Sequence, residues 1–165
     1  MSDSKPVSVM FVCLGNICRS PMAQAVFEHL VKEKHMEAYF DRIESCGTGA
    51  YHVGDDPDDR TVAKCREKGV PISSIAQALN DQHYQDFDYL LGMDRNNVRN
   101  IISMQPKGSK AQIRMFGEFG DGKPIQDPYY GGKSGFETTY NQVLAYSEAF
   151  LEYIKENHPA PSQKK

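Results

Sequence analysis

One run constrains this chain more than any other. Val7-Ser8-Val9-Met10-Phe11-Val12 is apolar enough for a buried strand and ends on Cys13, and Leu14-Gly15-Asn16-Ile17-Cys18 then leads to Arg19-Ser20-Pro21. Beyond it, Met22, Val26, Phe27, Leu30 and Val31 recur on one face at helical spacing, with Pro21 at the first turn, where a helix tolerates proline. The run therefore predicts a strand, a tight loop and a helix. Gly15 lets the loop reverse without a Cβ clash, and Asn16 tolerates the left-handed conformation and can tie the loop with its amide.

The residue types on this unit point to one chemistry. A helix N-terminus and an arginine both favour the thiolate form of a nearby cysteine, and the pattern places both beside Cys13. Inward-facing loop amides at the positive end of a helix make an anion site. Arg19 adds a planar fork of donors matched to two phosphoryl oxygens, a geometry that lysine does not reproduce. Cys13 thus reads as a thiolate nucleophile beneath a phosphate cradle.

Patterning along the rest of the chain gives alternating strands and helices. Tyr39 to Cys46 reads as a weaker strand near a sheet edge, closed by Gly47-Thr48-Gly49; a helix opens at Asp56-Pro57 and ends at Gly69. Phe87 to Gly92 is a third strand, followed by Asp94 as an N-cap that also braces the rim of the site, and Ala111 to Phe116 is a fourth. Ser134-Gly135-Phe136-Glu137 reads as a capping box for a last helix with Val143, Leu144, Phe150, Leu151 and Ile154 on one face. Strands joined by helices imply an α/β fold, a mainly parallel sheet with helices on both faces. In such sheets ligands bind beyond the carboxyl ends of the strands, where Cys13 lies.

Bulk properties exclude several classes of function. At 165 residues the chain is one domain, expected as a flexible N-terminus over 1–6, a folded body over 7–157 and a flexible tail over 158–165. Nineteen basic against 22 acidic residues give a net charge of −3 with no dense basic run, so nucleic acid is not an expected partner. Residues 1–6 lack the apolar core of a signal peptide and nothing later is long and apolar enough to span a bilayer, which predicts a cytoplasmic protein with no membrane partner. The four cysteines, Cys13, Cys18, Cys46 and Cys65, are then expected as thiols. Their spacing shows no zinc pattern, and neither a metal nor another cofactor is expected. No Gly-x-Gly-x-x-Gly or Walker-type loop supports a nucleotide or flavin carrier.

Cys-Leu-Gly-Asn-Ile-Cys-Arg-Ser-Pro at 13–21 resembles the signature loop of the low-molecular-weight protein tyrosine phosphatases. Asp127-Pro128-Tyr129-Tyr130-Gly131 resembles the general-acid loop of that family, and residues 47–54 and Met93-Asp94 resemble further family segments in the expected order. The resemblance spans about residues 7 to 155. It implies four parallel strands in a flavodoxin-like order and a cysteine-dependent hydrolysis of phosphotyrosine and other aryl phosphates. In that reaction Cys13 forms a phosphocysteine, Arg19 and the loop Leu14, Gly15, Asn16, Ile17 and Cys18 hold the phosphoryl oxygens, and Asp127 acts as general acid and then base. Ser20 hydrogen-bonds the Cys13 sulfur. The resemblance also implies that Tyr51, Tyr129, Leu14 and Ile17 wall an aryl slot and that Cys18 traps an oxidised Cys13 as a reversible disulfide.

Phosphotyrosine proteins are the implied partners, with inorganic phosphate as product and inhibitor. Ile17 stands where related arginine phosphatases carry threonine, which favours phosphotyrosine. The two extra cysteines of the related arsenate reductases are absent from residues 78–95. Lys68 and Gln24 depart from the family pattern, standing where some members carry a histidine and an acidic residue that tune the nucleophile. The five histidines are read as surface or locally bonded residues.

Overall fold

A computed structural model describes residues 5–128 and 132–159. The chain runs β1 (Val7–Cys13), α1 (Arg19–Glu33), β2 (Phe40–Gly47), α2 (Asp59–Glu67), α3 (Asp81–Asp86), β3 (Tyr89–Gly92), α4 (Arg95–Ser103), β4 (Gln112–Met115) and α5 (Gly132–Asn157). The four strands form one parallel sheet in the order β2-β1-β3-β4, so β1 is interior and β2 lies at an edge, as its interleaved polar residues predict.

β1 is buried along its whole length, and its alternation divides the core into two layers. Val7, Val9, Phe11 and Cys13 join the layer beneath α1 and α5, where Phe11 meets Phe27 and Phe116 edge-on at ring centroid distances of 5.5 and 5.1 Å. Met10 and Val12 face the other layer, with Tyr84 of α3, Leu90 of β3 and Ile101 of α4. Helices therefore cover both faces. The carboxyl ends of β1 and β3 are fixed to each other, Met93 N–H donating to Val12 C=O at 3.1 Å.

Several boundaries differ from the sequence reading. The helix expected at Asp56-Pro57 begins at Asp59, because the Asp58 carboxylate caps it by accepting from the Arg60 N–H at 2.9 Å. The Asp58 N–H is taken by the Ile17 C=O at 2.8 Å, which ties α2 to the loop after β1. α3 is absent from the sequence reading; six residues are too short for a periodic signal, and an Asn80/His83 capping box holds it. Phe87, expected in a strand, closes α3, and β3 starts two residues later. Phe116, expected in β4, opens a 3-10 turn. The expected box at Ser134 and Glu137 is not the start of α5, which is already helical at Gly132. The Glu137 carboxylate is drawn instead to Lys64 at 2.7 Å and Lys68 at 3.1 Å on α2. Lys68 lies in that cluster, over the Tyr140 ring.

Candidate active site

Cys13 is the last residue of β1 and is buried. The loop after it is shaped by Asn16, whose φ of 60° is in the left-handed region and which is a non-glycine residue there. The reversal expected at Gly15 thus occurs at Asn16. Gly15 serves close approach instead, since a Cβ there would lie 2.9 Å from the His52 ring. Gly47, at the end of β2, passes directly beneath the loop: a Cβ there would meet the Leu14 carbonyl oxygen at 2.6 Å and the Asn16 nitrogen at 3.1 Å.

The Asn16 side chain is held at every polar position. Its Nδ2 donates to Ser20 Oγ at 2.8 Å and to Ser45 Oγ at 3.0 Å, and its Oδ1 accepts from the Gln77 N–H at 2.9 Å. Further out, Ser45 Oγ donates to Gln24 Oε1 at 2.6 Å, while Gln24 Nε2 donates to the Ile43 carbonyl at 3.3 Å. The proton directions from Gln24 as far as Ser20 follow from the ends inward. The Gln24 oxygen accepts from Ser45, so Ser45 accepts from Asn16, and Asn16 donates to Ser20. With one Ser20 lone pair occupied by Asn16, the Ser20 proton can serve Cys13 Sγ at 3.0 Å when the sulfur is a thiolate, or the Cys46 carbonyl at 3.4 Å when Cys13 keeps its own proton and donates to Ser20. The Asn16 N–H also reaches the sulfur, at 3.3 Å. Two donors therefore converge on Cys13 in its thiolate form, and a buried network holds them. Gln24, a departure from the family pattern, closes the outer end of this chain as a neutral amide.

Arg19 opens α1 with its side chain buried against the cleft. Its Nη1 donates to Asp94 Oδ2 at 2.6 Å and to the Ile125 carbonyl at 2.9 Å. Asp94 fulfils both parts of its expected role, since its other oxygen caps α4 by accepting from the Asn97 N–H at 2.7 Å. Ile125 is fully buried and its N–H donates to the Met93 carbonyl at 2.8 Å. The segment that carries Asp127 is thus pinned to the end of β3 two residues before the carboxylate, which lies 3.9 Å from Arg19 Nη2.

Cys13, Leu14, Gly15, Ile17, Cys18, Arg19, Tyr51, His52 and Asp127 line one cleft of about 190 Å³. Among the described residues the backbone N–H groups of Gly15, Ile17 and Cys18 have no protein acceptor and are available to an anion. Leu14 and Tyr51 stand at the mouth, 44% and 74% exposed, as an apolar rim. Cys18 caps α1 without a side-chain hydrogen bond to the helix, and its thiol is pushed up to about 12 by burial and by the negative charges of Asp58 and Asp127. Tyr129, expected as the second aromatic wall, lies outside the described residues.

The sequence reading assembled most of this cleft but did not include His52, which it read as a surface or locally bonded residue. The His52 ring packs over Gly15 and is oriented by Asp55 Oδ2 at 3.2 Å from Nδ1. It also missed Ser45 and Ile125. Ser45 stands opposite Phe11 in the sheet register, and no local pattern marks it.

Comparison with known proteins agrees with this geometry. The family model for low molecular weight phosphotyrosine protein phosphatase matches residues 8–160. The chain is 47% identical over 154 residues to the low molecular weight phosphotyrosine protein phosphatase of Schizosaccharomyces pombe, covering 92% of this chain and 99% of that protein. Among solved structures, a protein tyrosine phosphatase from Entamoeba histolytica superposes with a TM-score of 0.85 at 30% identity, covering 91% of this chain and 97% of its own. A Drosophila arginine phosphatase superposes with a TM-score of 0.84, also at 30% identity, covering 92% and 99%. A match of this length to the family model, joined to near full-length identity with its members, settles the assignment: this chain belongs to the low molecular weight phosphotyrosine protein phosphatase family.

Proposed function

We propose that Cys13, Arg19 and Asp127 carry the hydrolysis of phosphotyrosine in proteins through a covalent phosphocysteine. The observation that carries this reading is the hydrogen-bond chain that ends on Cys13 Sγ, in the same cleft as a buried guanidinium and a carboxylate. The Ser20 hydroxyl and the Asn16 N–H stabilise negative charge on sulfur, which favours both the attacking thiolate and its later departure. In the first step Sγ attacks phosphorus in line, the phosphorus–oxygen bond to the tyrosyl ring breaks, and Asp127 gives its proton to the leaving phenolate. The free loop amides and Arg19 hold the three non-bridging oxygens throughout. In the second step a water attacks phosphorus as ionised Asp127 takes its proton, the phosphorus–sulfur bond breaks, and phosphate leaves.

Phosphotyrosine is favoured by the cleft wall. Ile17 presents apolar surface where a ring must lie flat, and Leu14 and Tyr51 extend it to the mouth. Phosphoarginine is the competing substrate, since the Drosophila structural relative is an arginine phosphatase. Wild type is expected to hydrolyse a phosphotyrosine peptide with at least ~10-fold higher kcat/KM than the matched phosphoarginine peptide, and Ile17→Thr to narrow that gap. The opposite preference in wild type contradicts the substrate assignment while leaving the cysteine chemistry standing.

Cys18 is read as the partner that rescues Cys13 from oxidation. Peroxide converts the Cys13 thiolate to a sulfenic acid; attack by Cys18 sulfur forms the disulfide and releases water, and a cellular thiol then reduces it. Its raised thiol keeps Cys18 uncharged beside Cys13 until that event. After peroxide and then thiol treatment, wild type is expected to recover activity and Cys18→Ser to recover much less; equal recovery removes the role. A cytoplasmic location accords with free cysteines in the active site and with the lack, among the described residues, of a helix long and apolar enough to cross a membrane. Recovery in the soluble cytosolic fraction on cell fractionation is the expected result, and recovery with membranes the contrary one.

A further inference from the structure

Although the sequence has no dense basic run, the fold assembles one basic groove. Between residues 95 and 123 there are six basic and two acidic residues, in a chain whose net charge is −3. Within that stretch Arg95 and Arg99 of α4 and Arg114 of β4 line a groove of about 450 Å³, floored by Val98 and Ile113. Glu118, the acidic residue of the groove, is already committed: it accepts from Arg114 Nε at 2.6 Å and from the Met115 N–H at 3.3 Å. Arg99 donates to the neutral Asn96 side chain, and Arg95 has no ion-pair partner among the described residues. Both arginines are exposed.

Their placement is electrostatically unusual. Arg95 is the first residue of α4, at the end where the macrodipole disfavours cations, with no acidic residue in the first turn, and Arg99 stands one turn further at the middle of the helix. The Asp94 carboxylate does not compensate them, because Arg19 and the Asn97 N–H occupy it. With Arg114 paired to Glu118, the groove keeps the positive charge of Arg95 and Arg99, which have no ion-pair partner among the described residues.

Both walls of the groove lead along the chain to residues of the active site. Asp94, which binds the phosphate-cradle arginine, immediately precedes Arg95. Gly122, on the other wall, opens the segment that runs through Ile125 to Asp127. The Arg19–Asp94 contact thus sets the start of α4 close to the cleft, within reach of residues that flank a bound phosphotyrosine.

We propose that this groove docks acidic residues flanking the phosphotyrosine of a protein substrate. The proposal rests on the phosphatase reading above. Long exposed guanidinium groups on a shallow, partly apolar floor suit carboxylates of an extended peptide, and their attraction acts on encounter rate and specificity more than on the chemical step.

The test compares two phosphotyrosine peptides that differ only in having Glu and Asp, or Gln and Asn, around the tyrosine, with p-nitrophenyl phosphate as a substrate too small to reach the groove. Wild type is expected to prefer the acidic peptide by about tenfold in kcat/KM at low ionic strength, and to lose the preference in high salt. The Arg95→Gln, Arg99→Gln double variant is expected to lose the preference, to retain its rate on p-nitrophenyl phosphate, and to melt no lower than wild type, since Arg95 is a cation at a helix N-terminus and neither arginine has an ion pair to lose. An undiminished preference in the double variant, or a parallel fall on p-nitrophenyl phosphate, overturns the docking role. Failure of wild type to hydrolyse either peptide overturns the phosphatase reading and the docking role with it.

Discussion

Cys13→Ser is expected to lower kcat on a phosphotyrosine peptide by at least about 10⁴-fold, with inorganic phosphate still bound. Serine is close in size to cysteine, and the site is built for a small group at the end of β1, so the cradle and its network stay in place. What changes is the nucleophile. An alcohol lies far above neutral in its ionisation, and two hydrogen-bond donors aimed at one atom stabilise a thiolate far more readily than they create an alkoxide. Steady-state rates for the two proteins, together with competitive inhibition of the wild type and direct binding of phosphate to the variant, separate loss of chemistry from loss of fold. A variant that keeps a substantial fraction of wild-type turnover places the nucleophile elsewhere.

Arg19→Lys is expected to cost about 10²- to 10³-fold in kcat/KM despite conserving charge. Arg19 has several tasks at once. Its Nη1 holds Asp94 and the Ile125 carbonyl, and the rest of the guanidinium is left to present donors to the phosphoryl group. A lysine offers its donors from a single atom and cannot satisfy a carboxylate, a buried carbonyl and two phosphoryl oxygens in their separate directions. Either the phosphate loses its fork or Ile125 loses its anchor, and with Ile125 the segment bearing Asp127 loosens. The split between the parameters distinguishes these outcomes: loss of transition-state donors lowers kcat, whereas a merely weakened cradle raises KM. A lysine variant with wild-type kcat/KM contradicts the bidentate role.

The parts of the site that lie close together in the chain were legible in the sequence. Cys13 to Pro21 carries its own instructions, because a strand, an Asn in the left-handed region, a helix N-terminus and an arginine are all local choices. Asp94 was legible for the same reason, as a cap immediately after β3. The parts that depend on register were not. Ser45 becomes a link in the relay only because β2 pairs with β1 so that it stands beside Phe11, and Gln24 reaches it from α1 only once helix and strand are packed. Ile125 looks like an ordinary core residue until its two backbone groups are seen tying Arg19 to β3.

The misplaced boundaries have the same origin. Ser134 and Glu137 satisfy the local rule for a helix start, but two lysines of α2 compete for the glutamate and the helix begins earlier. Asp56-Pro57 is a sound local signal that loses to Asp58, whose N–H is held by Ile17 across the loop. Arg95, Arg99 and Arg114 were dispersed along the sequence, and only the α4–β4 packing makes them one surface.

The most direct test of the central claim is a rapid acid quench of wild type and Asp127→Asn after mixing with an activated aryl phosphate, followed by mass mapping of the phosphorylated residue. An activated leaving group departs without a proton donor, so the first step survives in the variant, while hydrolysis of the intermediate lacks its base. Phosphate attached to Cys13 in both proteins, accumulating to a larger fraction in the Asp127 variant, is the predicted result. Phosphate on any other residue, or none on Cys13 during undiminished turnover, contradicts the account.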